Sequence, residues 1–336
     1  MMSEESIIDS EKIRFSTGLF FSTCTELGIK EYNCQESLIS FFNHGKEFQG
    51  FKTAQGNIYE IHILTNDLKT AKHIANLIIS CLSIIDSSTL LELKDIDTNL
   101  QYSYYNFLGK EPDIITESGK RNICLAGDSL CFASMMASKA FGNITFENAI
   151  FKSQLAREIC DIHPMDLEPY FSELYISEYP YEHLKYAYSI VLTYSVIEEL
   201  GIEIRASKEK PSVIDGEWNP EVLSDLKERL NEKNIDPDKT LVWIVRGKLI
   251  RPFKSDVINI KDYCKWSNGS DIRDFYIQIT DAILELSFIR SKMASHGVNK
   301  RSSELTLCDV ENAYHLIRVI LLDYFGIKFR SEDHVD

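Results

Sequence analysis

Phosphate-cradling glycine loops are missing from this 336-residue chain: neither GxxxxGK[ST] nor GxGxxG occurs. That speaks against ATP hydrolysis, which needs backbone N–H groups wrapped around the phosphates. The eight cysteines form no CxxC pair and no regular framework. Most sit in apolar contexts, such as Cys81 in "LIISCLSII" and Cys131 in "LCFASMM". They read as reduced, buried thiols of a cytoplasmic protein. No apolar run is read as long enough to span a membrane. The opening "MMSEESIIDSEK" is acidic and polar, unlike a secretory signal. "CDIHPMD", Cys160 to Asp166, gathers metal-binding residue types, but no second ligand cluster accompanies it. A helix end before Pro164 explains that string better, and neither a metal nor a cofactor is expected.

What is present is ordinary for a globular protein: 44% hydrophobic and 26% charged residues, over a length that suits two domains. The net charge of −15 argues against nonspecific nucleic-acid binding. The charge is uneven, however. From Lys239 to Arg301 there are twelve Lys/Arg against six Asp/Glu. That region permits an RNA-facing patch, and equally a solvated basic face.

The first third alternates extended runs with a helix. "KIRFSTGLFFS" and "NIYEIHILT" read as strands, the second with Tyr59, Ile61 and Ile63 on one face and Glu60 and His62 on the other. "AQGN", residues 54 to 57, is a turn candidate. "DLKTAKHIANLIISCLSII" reads as a helix capped by Asn66 or Asp67. The polar "GKEPDIITESGKR", Gly109 to Arg121, is the best boundary, giving an α/β domain over 1–118 and a helical domain over 119–330. In the latter, "SLCFASMMASKAF", "FENAIFKSQLAREICDI" and "YEHLKYAYSIVLTYSVIEEL" read as helices, the third apolar nearly all round and hence central. "WNPEVLSDLKERLNEKNI" starts with Asn219 as N-cap and Pro220 at the first helical position. "TLVWIV" is of uncertain type. "SDIRDFYIQITDAILELSFIRSKMASHG" reads as the longest helix, capped by Ser270 or Asp271 and closed by Gly297. A last helix runs from about Leu305 to Phe325. The predicted fold class is α+β: a small N-terminal α/β domain followed by a mainly helical bundle.

On that long helix Ile272, Ile279, Ile283 and Leu286 fall within about 40° of Arg290 on the helical wheel. Arg290 thus extends the apolar stripe and needs a partner there, because an unpaired buried charge is costly. Glu198 or Glu199 of the central helix could supply it across the bundle, as a salt bridge that would also orient the arginine. His296 falls in the last turn, where the helix dipole favours the imidazolium. Such a pair could cut RNA without a metal. Histidine can take the 2′-hydroxyl proton or protonate the leaving oxygen. Arginine can hold the phosphate and stabilise the charge of the transition state. An ordinary helix ending accounts for the same residues, since Arg and His satisfy the last carbonyls. A second Arg-x5-His match, Arg157 to His163, shows that spacing alone does not decide.

"FIRSKMASHG", a polar loop and "LCDVENAYHLIRVILLDYFGI" together resemble the last two helices of a HEPN domain (higher eukaryotes and prokaryotes nucleotide-binding), in its ApeA-like ribonuclease branch. The resemblance covers roughly Tyr181 to Phe325, with a bundle at about 178–327. It implies a helical bundle that dimerises, brings two Arg-x4–6-His motifs into one cleft and cuts RNA without metal, often as a toxin or antiphage effector. Arg290 and His296 match the two defining positions. Ser291 stands where the family often has Asn, Asp or His, a mild departure. Lys292, Lys300 and Arg301 become candidates for phosphate contacts. The implied protein is a homodimeric endoribonuclease with RNA, tRNA among the candidates, as substrate, and a regulatory protein as a further partner. The alternative is a catalytically inactive HEPN-fold module that binds a partner. The first 120 residues carry no such resemblance and would sense a trigger or regulate the nuclease.

"LAGDSLCF", Leu125 to Phe132, contains the string of GDSL hydrolases with Ser129 as nucleophile. Such an enzyme needs a late Asp-x-x-His for its base, and none occurs. Asp128 or Ser129 as a helix N-cap is the simpler expectation.

Overall fold

The computed structural model describes residues 13–23, 31–34, 37–45, 47–48, 51–52, 57–85, 103–104, 126–160, 180–246, 272–294 and 305–327. Over these the chain is α+β and mostly helical, with seven α-helices and small sheets. It falls into two compact units, one within Met1–Lys110 and Cys124–Ile144, the other within Glu111–Ile123 and Thr145–Asp336.

The first unit is built on a five-stranded sheet in the order β2-β3-β6-β1-β7. Its strands are β1 (Ile13–Thr23), β2 (Glu31–Cys34), β3 (Ser37–Gly45), β6 (Asn57–Thr65) and β7 (Ser103–Tyr104). A two-residue hairpin, β4 (Glu47–Phe48) with β5 (Phe51–Lys52), accompanies it. β6 is the "NIYEIHILT" strand, antiparallel to both β1 and β3. Ile61 and Ile63 are buried, as the period-2 reading requires. Helix α1 (Leu68–Ile85) follows at once, and Asp67 opens it: its carboxylate accepts from the Thr70 N–H at 2.8 Å and the Thr70 hydroxyl at 2.7 Å. Those bonds hold the Asp67 carboxyl below its ordinary pKa.

α1 is long and apolar enough to cross a membrane, contrary to the reading of the sequence, but it is mostly buried. From Leu77 to Ile85 every side chain is buried, Ser80 and Ser83 included. Two partners explain this: strands β1 and β6, and helix α2 (Ala126–Ala140). Helix α2 therefore belongs to the first unit, not to a domain starting at 119, because the rest of α1 needs an apolar cover. α2 starts at Ala126, so Asp128 and Ser129 sit within its first turn and are not its N-cap. "GKEPDIITESGKR" and the turn residues before Asn57 lie outside the described residues.

The second unit holds α3 (Ile144–Cys160), α4 (Pro180–Glu199), α5 (Pro220–Glu232), α6 (Ile279–Ile289) and α7 (Leu307–Tyr324). α4 packs on α7, on α6 and on the turn after α6. It also meets α3, where the Ser189 hydroxyl donates to the Ala156 carbonyl at 2.6 Å. α4 is not buried all round, for Leu184 and Tyr188 are exposed on it. Asn219 caps α5 as read, accepting from the Glu221 N–H at 3.1 Å. α7 opens with Thr306, whose N–H and hydroxyl both donate to Asp309 at 2.9 and 3.0 Å, all in buried surroundings. Asp309→Ala is expected to cost about 1–2 kcal/mol, since it strands the Thr306 N–H away from water. Urea unfolding measures this.

The longest predicted helix is the main correction. "IRDFYIQ" is a strand, β11 (Ile272–Gln278), antiparallel to β10 (Thr240–Arg246), the "TLVWIVR" run. Phe275, Ile277 and Ile279 are buried, while Tyr276 and Gln278 between them are exposed. That alternation is the strand period, and β-branched and aromatic residues reinforce it. Ile272 thus leaves the helical stripe. Helix α6 starts at Ile279, after Gln278, so Ser270 and Asp271, which lie outside the described residues, do not cap it.

A short hairpin fixes the start of α6. β8 (Val213–Ile214) and β9 (Glu217–Trp218) turn through Asp215 and Gly216, with φ of 53° and 93°. The turn delivers Trp218, whose Nε1–H donates to Asp281 Oδ1 at 2.7 Å. Burial raises the Asp281 carboxyl above its ordinary pKa, outweighing the Trp218 bond and Lys227, which lower it. The ionised form therefore costs folding energy. That cost is absent below the ordinary value of about 3.9 and complete once pH exceeds the raised folded value. Asp281→Asn keeps the acceptor for Trp218 and is expected to stabilise the protein at pH 7, the gain vanishing near pH 3. Melting temperatures across that range check the sign.

Candidate functional site

α6 reaches Arg290 on a buried stem. Ile279, Ala282, Ile283, Leu286 and Ile289 are buried, which fixes the helix axis by apolar contact. The helix then widens: Arg290–Ala294 form a π-helical turn. Such turns shift the side-chain register and recur at functional sites. The Arg290 side chain is 38% exposed, at the edge of the stripe instead of within it.

Two residues of α4 hold the guanidinium. Tyr194 and Glu198 lie four apart, on one helix face. Arg290 Cζ stands 5.3 Å from the Tyr194 ring centroid, within cation–π range. Arg290 Nη2 donates to Glu198 Oε1 at 3.4 Å. The Glu198 side chain is 43% exposed. Tyr194 is only 5% exposed and its hydroxyl meets Ser287 Oγ at 3.3 Å, which ties the ring back to α6. Burial raises the Tyr194 phenol above its ordinary pKa, so the ring stays neutral under the cation. Glu199 is engaged elsewhere, with Lys152 at 2.5 Å, so Glu198 is the carboxylate that reaches Arg290.

The remaining sequence-derived candidates divide. Ser291 is half-buried and donates to the Phe288 carbonyl at 3.2 Å, so its hydroxyl serves its own helix. Lys292 is exposed on the π turn, where a phosphate could reach it. His296, Gly297, Lys300 and Arg301 lie outside the described residues. Tyr194 and Ser287 are contacts that the sequence reading missed. A tyrosine four residues before the glutamate was the available signal.

The rival motif is separated by burial. Arg157 is 3% exposed and stacks over Tyr314, its Cζ 5.4 Å from that ring centroid. A guanidinium placed there packs α3 against α7 and cannot meet a polymer backbone without opening the bundle. His163 and the rest of "DIHPMD" lie outside the described residues. Cys160, the described member of "CDIHPMD", is mostly sequestered: its thiol lies 3.5 Å from the Lys185 carbonyl, and burial pushes its pKa up to about 12. A cleft elsewhere in the unit sets Arg205, Arg229 and Lys233 against Asp225, Glu228 and Glu232. The two signs balance, and Arg229 is bound to Asp225 at 2.7 Å and to the Gly201 carbonyl at 2.8 Å, so the cleft has no surplus cation to offer an anion.

The described arrangement can do one thing well: present a fixed cation to an anionic oxygen at the end of a rigid helix. Comparison of the chain with protein-family models, with curated proteins and with solved structures gives no match.

Proposed function

We propose that this chain is a metal-independent endoribonuclease of HEPN type, acting as a homodimer, with Arg290 and His296 as its reacting pair. Residues at about 178–327 would form the HEPN-like bundle, behind an N-terminal α/β domain that senses a trigger. The observation that carries this is the half-exposed, braced guanidinium of Arg290 at the end of a buried helix, in contrast to the buried Arg157 of the competing motif.

The chemistry follows from residue types. A histidine base takes the 2′-hydroxyl proton, and the 2′-oxygen bonds to phosphorus. The bond to the 5′-oxygen breaks, and that oxygen receives a proton from the acid. Two His296 residues across a two-fold axis would fill both roles. Arg290 bears on the non-bridging oxygens, where charge grows in the transition state. Lys292, with Lys300 and Arg301, would hold flanking phosphates. A toxin or antiphage role in the cytoplasm would suit such an activity.

The expected products are a 2′,3′-cyclic phosphate and a 5′-hydroxyl. Labelling the ends of cleaved RNA checks this: fragments should accept a kinase label at the 5′ end without prior phosphatase. Fragments bearing 5′-phosphates would exclude the mechanism. The competing assignment is a silent docking module, favoured by the Arg290–Glu198 pair. The ribonuclease needs the guanidinium open to an anion, and the 38% exposure of the Arg290 side chain supports that.

A further inference from the structure

Among the described residues, two on α4 contact Arg290 and differ in character. Tyr194 is buried, carries the Arg290 Cζ over its ring at 5.3 Å from the centroid and is tied to Ser287. Glu198 is exposed and reaches the edge, where nitrogen donors point outward. At 3.4 Å that bond is long beside the roughly 2.8 Å of a tight charge-assisted pair. The neighbouring Glu199–Lys152 pair, at 2.5 Å, shows what a close pair on the same helix looks like. A phosphate also binds guanidinium through its edge, often by two donors at once. Carboxylate and phosphate therefore compete for the same donors, while the ring below is undisturbed by either.

We infer that Tyr194 is a positioning residue that fixes the Arg290 guanidinium from below, and that the Glu198 carboxylate is a removable counter-anion holding the place of an RNA phosphate. This rests on the ribonuclease reading and adds how the cation is kept ready. Without substrate, Glu198 neutralises Arg290 and keeps its fork turned toward α4. When RNA arrives, its phosphate takes the donors and Glu198 swings into solvent, which its exposure allows. A phosphate on the Nη2 donor would face the Glu198 charge, and like charges repel. Part of the affinity for RNA is thus lost to displacing Glu198. That loss also discriminates against weak anions that cannot outcompete a carboxylate.

The test is binding without cleavage, by fluorescence polarisation on a 2′-O-methyl oligoribonucleotide whose attacking hydroxyl is blocked. The full-length wild type is compared with Glu198→Gln, Arg290→Ala and the double variant, at low salt. Glu198→Gln is expected to bind about five-fold tighter, the scale of one exposed ion pair. In the Arg290→Ala background the same change is expected to have no effect. Thermal stability of Glu198→Gln should not rise with its affinity, which separates displacement from a merely structural effect. Unchanged or weaker binding by Glu198→Gln overturns the counter-anion role, and so does a gain that persists without Arg290. If no form binds the oligonucleotide, the ribonuclease reading itself fails and takes the proposal with it. The two failures are distinct on one titration.

Discussion

Asn312→Ala is expected to destabilise the second unit by about 3 kcal/mol. Asn312 is fully buried on α7. Its Oδ1 accepts the Ile244 N–H at 2.8 Å, and its Nδ2 donates to the Ile244 carbonyl at 2.7 Å. One amide thus plays the part of a neighbouring strand for the outer edge of β10. Truncation leaves a buried N–H and a buried C=O without partners, each costing about 1–3 kcal/mol. Asn312→Asp separates hydrogen bonding from packing. A carboxylate keeps the acceptor but faces the Ile244 carbonyl with a second acceptor, and its charge is buried. Its folded pKa should lie above the ordinary value. Its penalty is then fully present above that raised value and shrinks as pH falls through it, because the protonated acid donates again. Denaturant unfolding followed by circular dichroism reads both variants. A loss under about 1 kcal/mol for Asn312→Ala would mean that the amide is not what seals the strand.

Arg290→Ala is expected to lower RNA cleavage by about 10²–10³-fold, the cost of one lost donor to a developing oxyanion. Its stability should change little, since an exposed ion pair is worth about 1 kcal/mol or less and a cation–π contact to a half-exposed guanidinium about 1 kcal/mol. Arg290→Lys should not restore the rate, because an ammonium lacks the planar fork that both Tyr194 and a phosphate engage. Matched initial rates and melting curves measure the two effects. A large stability loss with the rate preserved would reassign Arg290 to structure.

How much of this was legible beforehand depends on whether the deciding contacts are local. "NIYEIHILT" reads correctly because its alternation has no helical rival. α5 reads correctly because Asn219–Pro220 is a local start signal. "SDIRDFYIQIT" fails because two periods fit it at once. Ile272, Ile279 and Ile283 satisfy a helix, while Phe275, Ile277 and Ile279 satisfy a strand. The choice is made by β10, about thirty residues upstream, whose pairing with β11 no local window contains. The same holds for α2, which is assigned to the first unit by the uncovered face of α1.

The site was legible in part. The crossing of two helices offers Glu198 or Glu199 to Arg290, and Glu198 is the one that lies 3.4 Å from it. The wheel placed Arg290 on the apolar stripe, but a helix starting at Ile279 and widening at Arg290 rotates it to the edge. Tyr194 escaped notice because a tyrosine in an apolar helix looks like core, and here it is both core and a platform.

The most direct measurement is cleavage of total RNA and of tRNA in EDTA by purified full-length protein, beside a His296→Ala variant shown to be equally folded. Cutting by the wild type that falls by about 10²–10⁴-fold in the variant is the expected result, the range for a lost general acid or base. Cutting that survives the substitution contradicts the assignment and points to another site or another enzyme. No cutting by either form contradicts an active ribonuclease in the isolated protein and leaves a docking module, or an enzyme held back until its first 120 residues read a signal.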